Sequence, residues 1–207
     1  MAHCKNLLFD LGGVIMDIDR ERCVRSFRRL GFENAAEYLG DYGQQGPFEA
    51  LEAGRIDARE FHRSISALIP GGADDGRIDR AFNAFLVGIP LPRLRALREL
   101  RSRYGIYLLS NTNEIMWHSR IARAFRAEGL DINSYFDGIV TSFEARALKP
   151  SPEIFAYAQQ KLGIRPQETI FLDDSRANVE AARALGFGAL QVEPGREFTD
   201  ILKAQGL

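Results

Sequence analysis

Five short apolar runs, separated by amphipathic segments of helical length, restrict what this chain can fold into more than any other feature. They are Leu7-Leu8-Phe9, Ile106-Tyr107-Leu108-Leu109, Gly138-Ile139-Val140-Thr141, Thr169-Ile170-Phe171-Leu172 and Gly188 to Val192. Runs this short without polar alternation are what a strand buried on both faces requires. Between them lie Leu91–Arg103, with Leu94, Leu97 and Leu100 on one stripe, Glu114–Glu128, Glu153–Leu162, and a segment carrying Ala177, Ala181, Ala184 and Leu185. Strict strand-helix alternation dictates a parallel sheet with right-handed crossovers and helices on both faces. The expected class is therefore α/β, a Rossmann-like parallel sheet of about five strands.

Only the first interval breaks the alternation. From Asp17-Ile18-Asp19 to about Gly88 no run alternates as a strand does. Cys23, Val24, Phe27 and Leu30, then Phe48 and Leu51, Phe61, Ile65 and Leu68, and Ile78, Phe82 and Phe85 form helical stripes. Asp19 and Asp57 sit where helix N-caps belong, Gly54 where a helix ends, and Phe48, Phe61 and Phe82 read as core. Residues 18–88 are thus expected to be an all-helical insertion after strand one, with 1–17 and 89–207 forming the sheet-bearing core.

Polar residues close the buried strands. Asp10 follows the first and precedes Gly12-Gly13; Ser110 and Asn111 follow the second; Asp173 and Asp174 end the fourth; Lys149 lies in the loop beyond the third. In a parallel sheet all these ends face one edge, so topology alone gathers them into one crevice. Individually each has an ordinary explanation as a cap, a turn or a solvated charge. Together they match what phosphoryl transfer through an aspartyl-phosphate needs. Asp10 is the candidate nucleophile. Asp10, the Gly12 carbonyl and Asp174 are candidate ligands of a hard cation, Mg²⁺, with Asp173 as a further ligand or acting with Asn178 from behind. Ser110, Asn111, Lys149 and the Gly12 backbone are candidates for the phosphate oxygens, and Lys149 also relieves repulsion among the carboxylates.

These motifs, Asp10 to Val14, Ser110-Asn111, Lys149-Pro150 and Asp173-Asp174 with Asn178, resemble those of the haloacid dehalogenase superfamily. The helical insertion stands where that family's first-type cap domain is placed. The likeness implies a Mg²⁺-dependent hydrolase of a small phosphorylated metabolite. Asp17-Ile18-Asp19, Phe48 to Asp57 and Ser110 to Asn113 further resemble bacterial phosphatases acting on glucose 1-phosphate. One position departs from the pattern. Phosphatases of the family carry a second Asp two residues after the nucleophile to protonate the leaving oxygen, and this chain has Gly12, so a good leaving group or another proton source such as Asp19 is expected. A non-catalytic binder of phosphorylated metabolites and a metal-independent dehalogenase are the alternative readings. Asp17, just before the insertion, and Asp19, Phe48, Glu49, Glu52 and Arg55 within it are candidates for facing the crevice, each equally readable as a surface or packing residue.

Bulk properties agree with this class. With 207 residues, 45% hydrophobic, the chain can bury a full core. Lys and Arg number 27 against 28 Asp and Glu, so no net field favours nucleic acid or anionic lipid. The apolar runs are too short to span a membrane and no export signal stands at the N-terminus, which makes the cytoplasm the expected location and a monomer or weak homodimer the expected state. Cys4 and Cys23 are isolated and expected to be free thiols, and His3, His62 and His118 are too scattered for a metal cluster.

Overall fold

The computed structural model describes residues 4–40 and 42–207; His3 lies outside them. Strand β1, Asn6–Phe9, leads to β2, Asp17–Ile18, and then to helices α1, Arg20–Arg28, α2, Ala35–Tyr38, α3, Gly46–Glu52, α4, Ala58–Ala67, and α5, Asp75–Asn83. After β3, Leu86–Gly88, the chain runs through α6, Leu91–Leu100, and β4, Gly105–Ser110. Helices α7, Glu114–Met116, and α8, Ala122–Phe125, are followed by β5, Gly138–Thr141, α9, Ser142–Ala145, and α10, Pro152–Leu162. The last elements are β6, Thr169–Asp173, α11, Arg176–Ala184, β7, Gly188–Gln191, and α12, Phe198–Ala204.

The main sheet has the order β5-β4-β1-β6-β7, and every pairing in it is parallel. Because successive strand residues point to opposite faces, the strands divide their side chains between two cores. Leu7, Phe9, Ile106, Leu108 and Leu172 pack with Leu94 and Leu97 of α6 and Phe198 of α12. Leu8, Leu109 and Phe171 pack on the other face with Ile154, Phe155 and Ala158 of α10 and Val179 of α11. The α/β class expected from the periodicity is the one observed, and β1, at the centre of the sheet, delivers Asp10 to the middle of its carboxyl edge.

The 18–88 segment is not wholly helical. Strands β2 and β3 pair antiparallel, Asp17 opposite Gly88 and Ile18 opposite Leu86, and form a two-stranded ribbon where the helical block leaves and rejoins the core. Elements of two and three residues are too short to show alternation, which is why the sequence pattern hides them. Between them, α1, α3, α4 and α5 close around Phe27, Phe48, Phe61 and Phe82, all buried, with the Phe48 and Phe82 ring centroids 5.0 Å apart and edge-on. Asp19 caps α1 by accepting from the Arg22 N–H, and Asp57 caps α4 with Glu60 completing a capping box. The helix expected over Glu114–Glu128 is interrupted by a π-helical stretch, Trp117–Ile121, and tightens to a 3₁₀ turn at its end. Cys4 and Cys23 are free. No helix among the described residues is long and apolar enough to cross a membrane.

Candidate active site

Asp10 follows β1 directly, its N–H bonded to the Leu172 carbonyl of β6 at 2.8 Å, so the carboxylate is held where two central strands end. Lys149, 4% exposed, reaches it from the loop after α9. The Lys149 Nζ lies 2.7 Å from Asp10 Oδ1 and 2.7 Å from Asp173 Oδ2. Asp173, fully buried at the end of β6, also accepts from the Ser175 N–H at 2.8 Å on Oδ1, and Asn178 Nδ2 lies 3.0 Å from Oδ1 and 3.1 Å from Oδ2. Both of its oxygens are therefore committed within the protein. Asp174 is less enclosed and backs onto Gly13: a Cβ on Gly13 would stand 2.2 Å from Asp174 Oδ2. Gly13 has φ +73°, so the position combines a left-handed backbone with a carboxylate packed where a side chain would go.

Asn111 is placed differently from the sequence expectation. Its carboxamide is engaged at both ends by the Lys149 main chain, Nδ2 donating to the carbonyl at 3.0 Å and Oδ1 accepting from the N–H at 2.9 Å. The side chain thus fixes the Lys149 loop. Ser110, 2% exposed, lines the same cavity as Asp10, Gly12, Lys149, Asp174 and Asn178. Gly12 shows no left-handed backbone, and a Cβ there would meet Ile18 Cγ2 at an ordinary 3.5 Å.

Burial and charge explain the electrostatics. Desolvation pushes the Asp10 carboxyl up to about 8; Lys149 opposes the rise, and Asp173 and Asp174 add to it. Asp174 is pushed up to about 6, first by burial and then by Asp173. Burial works against the Lys149 ammonium, but Asp10 and Asp173 outweigh it and hold its pKa above the ordinary lysine value. Three carboxylates facing one ammonium leave the site short of positive charge.

That shortage and the donor set fit a hard divalent cation. Asp10, Asp173 and Asp174 each offer an oxygen, all within 4.8 Å of one another, and they form an acidic cluster suited to a metal among the described residues. With Asp173 engaged by Lys149, Ser175 and Asn178, the oxygens left to coordinate are those of Asp10 and Asp174 and the Gly12 carbonyl. The Gly13 cradle holds Asp174 in that position.

Of those six candidates for the crevice, Glu52 alone lines the cavity with Asp10. Asp17 is bound by Arg93 at 2.7 Å, Asp19 caps α1, and Phe48 is core. Glu49 pairs with Arg55 at 2.8 Å, and Arg55 lies in a separate cleft with Glu60 and Glu114. Three contributors were not evident in the sequence. Tyr42 and Gln44 line the cavity from a loop without periodicity, and Ser142 ties the helical block to the core. The Ser142 Oγ accepts from the Thr112 N–H at 2.9 Å and lies 2.7 Å from the Glu52 carbonyl and 2.9 Å from the Thr112 carbonyl. The rule that picked out the other strand ends also applies to Thr141-Ser142, so this residue was within its reach.

A family model described as haloacid dehalogenase-like hydrolase matches residues 4–186. The chain is 36% identical over 194 residues, 94% of its length and 94% of the relative's, to a D-ribitol-5-phosphate phosphatase of Bacteroides thetaiotaomicron. It is 34% identical over 184 residues, 87% of its length and 81% of the relative's, to a phosphorylated carbohydrates phosphatase of Thermotoga maritima. The crystal structure of a wild-type enzyme of the same family from Bacteroides thetaiotaomicron, in complex with magnesium and inorganic phosphate, superposes with a TM-score of 0.90 at 39% identity, covering 96% of this chain and 98% of that one. With the family match running from β1 through α11 and the acidic cluster at the carboxyl edge of the sheet, this chain belongs to the haloacid dehalogenase-like hydrolases.

Proposed function

We propose that the chain is a Mg²⁺-dependent phosphatase of a small sugar or polyol phosphate, working through an aspartyl-phosphate on Asp10. The observation that carries this reading is the Lys149 ammonium held 2.7 Å from both Asp10 and Asp173, with Asp174 alongside. A carboxylate so placed, at the end of a central strand and beside a buried cation, suits in-line attack on phosphorus. Mg²⁺, when bound by Asp10, Asp174 and the Gly12 carbonyl, supplies positive charge that offsets the phosphate dianion and keeps Asp10 ionised. Lys149 adds a second positive charge from the opposite side. The Ser110 hydroxyl and the Asn111 main chain receive the phosphoryl oxygens, while Asp173, Ser175 and Asn178 keep Lys149 in place. Residues 18–88 act as the cap and select the rest of the substrate.

Polyol or sugar character is supported by the named activities of the two relatives and by Gln44. Its Oε1 is buried with no hydrogen-bond partner in the cavity wall, an acceptor that a substrate hydroxyl would satisfy. Released phosphate measured over D-ribitol 5-phosphate, glucose 1-phosphate and p-nitrophenyl phosphate, with Mg²⁺ and then with chelator, tests the proposal. Turnover is expected with Mg²⁺ and lost in chelator. Undiminished turnover in chelator, or binding of these compounds without release of phosphate, refutes it.

A further inference from the structure

Gly12 stands where the phosphatases this chain resembles place an aspartate as general acid, and a Cβ there would meet only Ile18, Cγ2 at 3.5 Å and Cδ1 at 3.7 Å. For a poor leaving group the proton for the leaving oxygen then has to come from another group. Among the described residues, Asp10, Asp174 and Glu52 are the carboxylates lining the cavity. Asp10 is the nucleophile and Asp174 belongs to the cation site, and the remaining one is Glu52. We propose that Glu52, at the C-terminal end of α3, is the catalytic acid that protonates the leaving oxygen and then the base that activates water. This rests on the phosphatase reading above.

Its placement supports the role. Glu52 is 9% exposed, yet no described side chain hydrogen-bonds or pairs with its carboxyl, and the neighbouring Glu49 is taken by Arg55. It lies on the wall shared by the cavity holding Asp10 and an adjoining, more open one of about 430 Å³ whose lining adds Glu49 and Ser151. A substrate with its phosphate on Asp10 and its carbon chain in the outer cavity passes its bridging oxygen along this wall. The position is fixed from behind, because Ser142 holds the Glu52 carbonyl at 2.7 Å while also holding Thr112, two residues beyond β4. Gly54, two residues on, packs so closely that a Cβ would stand 2.2 Å from the Phe143 carbonyl oxygen. Burial, with smaller contributions from Glu49 and Asp10, pushes the Glu52 carboxyl up to about 8, so it carries its proton at neutral pH.

The step balances. As an Asp10 oxygen bonds to phosphorus, the bond from phosphorus to the substrate oxygen breaks, and the Glu52 proton moves to that oxygen to give the alcohol and a Glu52 carboxylate. Water then attacks phosphorus, its proton returns to Glu52, and inorganic phosphate leaves with Asp10 restored.

Glu52→Gln keeps the shape and removes the transferable proton. An alkyl phosphate such as D-ribitol 5-phosphate should lose about 10²–10⁴-fold in kcat/KM. For p-nitrophenyl phosphate, whose leaving oxygen bears charge well, the first step should fall far less than the second. Nitrophenolate should then appear as a burst of about one per enzyme followed by a slow phase. Glu49→Gln, altering the adjacent carboxylate, should give no burst. Equal losses on both substrates without a burst, or a burst in Glu49→Gln as well, overturn the assignment. Turnover of both substrates by the wild type and its disappearance in Asp10→Asn report separately on the phosphatase reading.

Discussion

Replacing Gly13 by alanine isolates the contact that holds Asp174. At φ +73° a non-glycine residue costs about 1–2 kcal/mol from backbone sterics. The new Cβ would also stand 2.2 Å from Asp174 Oδ2, 2.6 Å from its Cγ and 3.2 Å from its Cβ, so the whole side chain must move or the loop must shift. Overpacking of this kind adds roughly 1–3 kcal/mol. A combined loss of about 2–5 kcal/mol corresponds, for a chain of this size, to a fall in Tm of roughly 4–20 °C. The matched control is Gly12→Ala, where the nearest atom is Ile18 Cγ2 at 3.5 Å and the backbone is not left-handed. It should stay within about 0.5 kcal/mol of the wild type. Thermal melts with and without Mg²⁺ read both effects, because a cation at 100 times its Kd stabilises by about 2.7 kcal/mol. Gly13→Ala should lose most of that Mg²⁺-dependent rise, whereas Gly12→Ala should keep it. A Gly13→Ala protein that melts with Gly12→Ala and retains the full Mg²⁺ shift would refute the reasoning.

Two further outcomes follow from buried groups. Glu52 has a folded-state carboxyl raised from 4.5 to about 8, so between these values the folded chain holds a proton that the unfolded chain releases. Stability should fall as pH rises through that window, and in chelator Glu52→Gln should remove a slope amounting to a few kcal/mol between pH 5 and 8 in denaturant melts; parallel curves for both proteins would contradict it. Ser142→Ala strips the Thr112 N–H of its acceptor and frees the Glu52 carbonyl, costing about 1–3 kcal/mol in urea unfolding and lowering kcat more than it raises KM; an unaltered midpoint would show that the tie carries no weight.

The sheet and the convergence of most candidate site residues were legible because both follow from periodicity and topology. Buried runs fix where β1, β4, β5, β6 and β7 lie, and parallel pairing then forces Asp10, Ser110, Lys149, Asp173 and Asp174 together without knowledge of distances. What stayed hidden depends on which atom a side chain meets. Asn111 resembles a phosphate ligand until its carboxamide is seen closing on the Lys149 main chain. Glu52 shares a short helix with Phe48, Leu51 and Glu49, and nothing in the local pattern separates a carboxylate facing a cavity from one facing solvent. Strands β2 and β3 owe their pairing to each other rather than to any alternation of their own, and Gln44 lies in a loop whose course only the fold determines.

The central claim is that Asp10 carries the phosphoryl group. Wild-type enzyme turning over D-ribitol 5-phosphate or p-nitrophenyl phosphate with Mg²⁺, quenched in acid and digested, should yield the Asp10 peptide heavier by one phosphoryl group. The label should be enriched in Glu52→Gln and absent in Asp10→Asn. Phosphate released at the wild-type rate by Asp10→Asn, or a phosphoryl group recovered on another residue during turnover, would contradict the account.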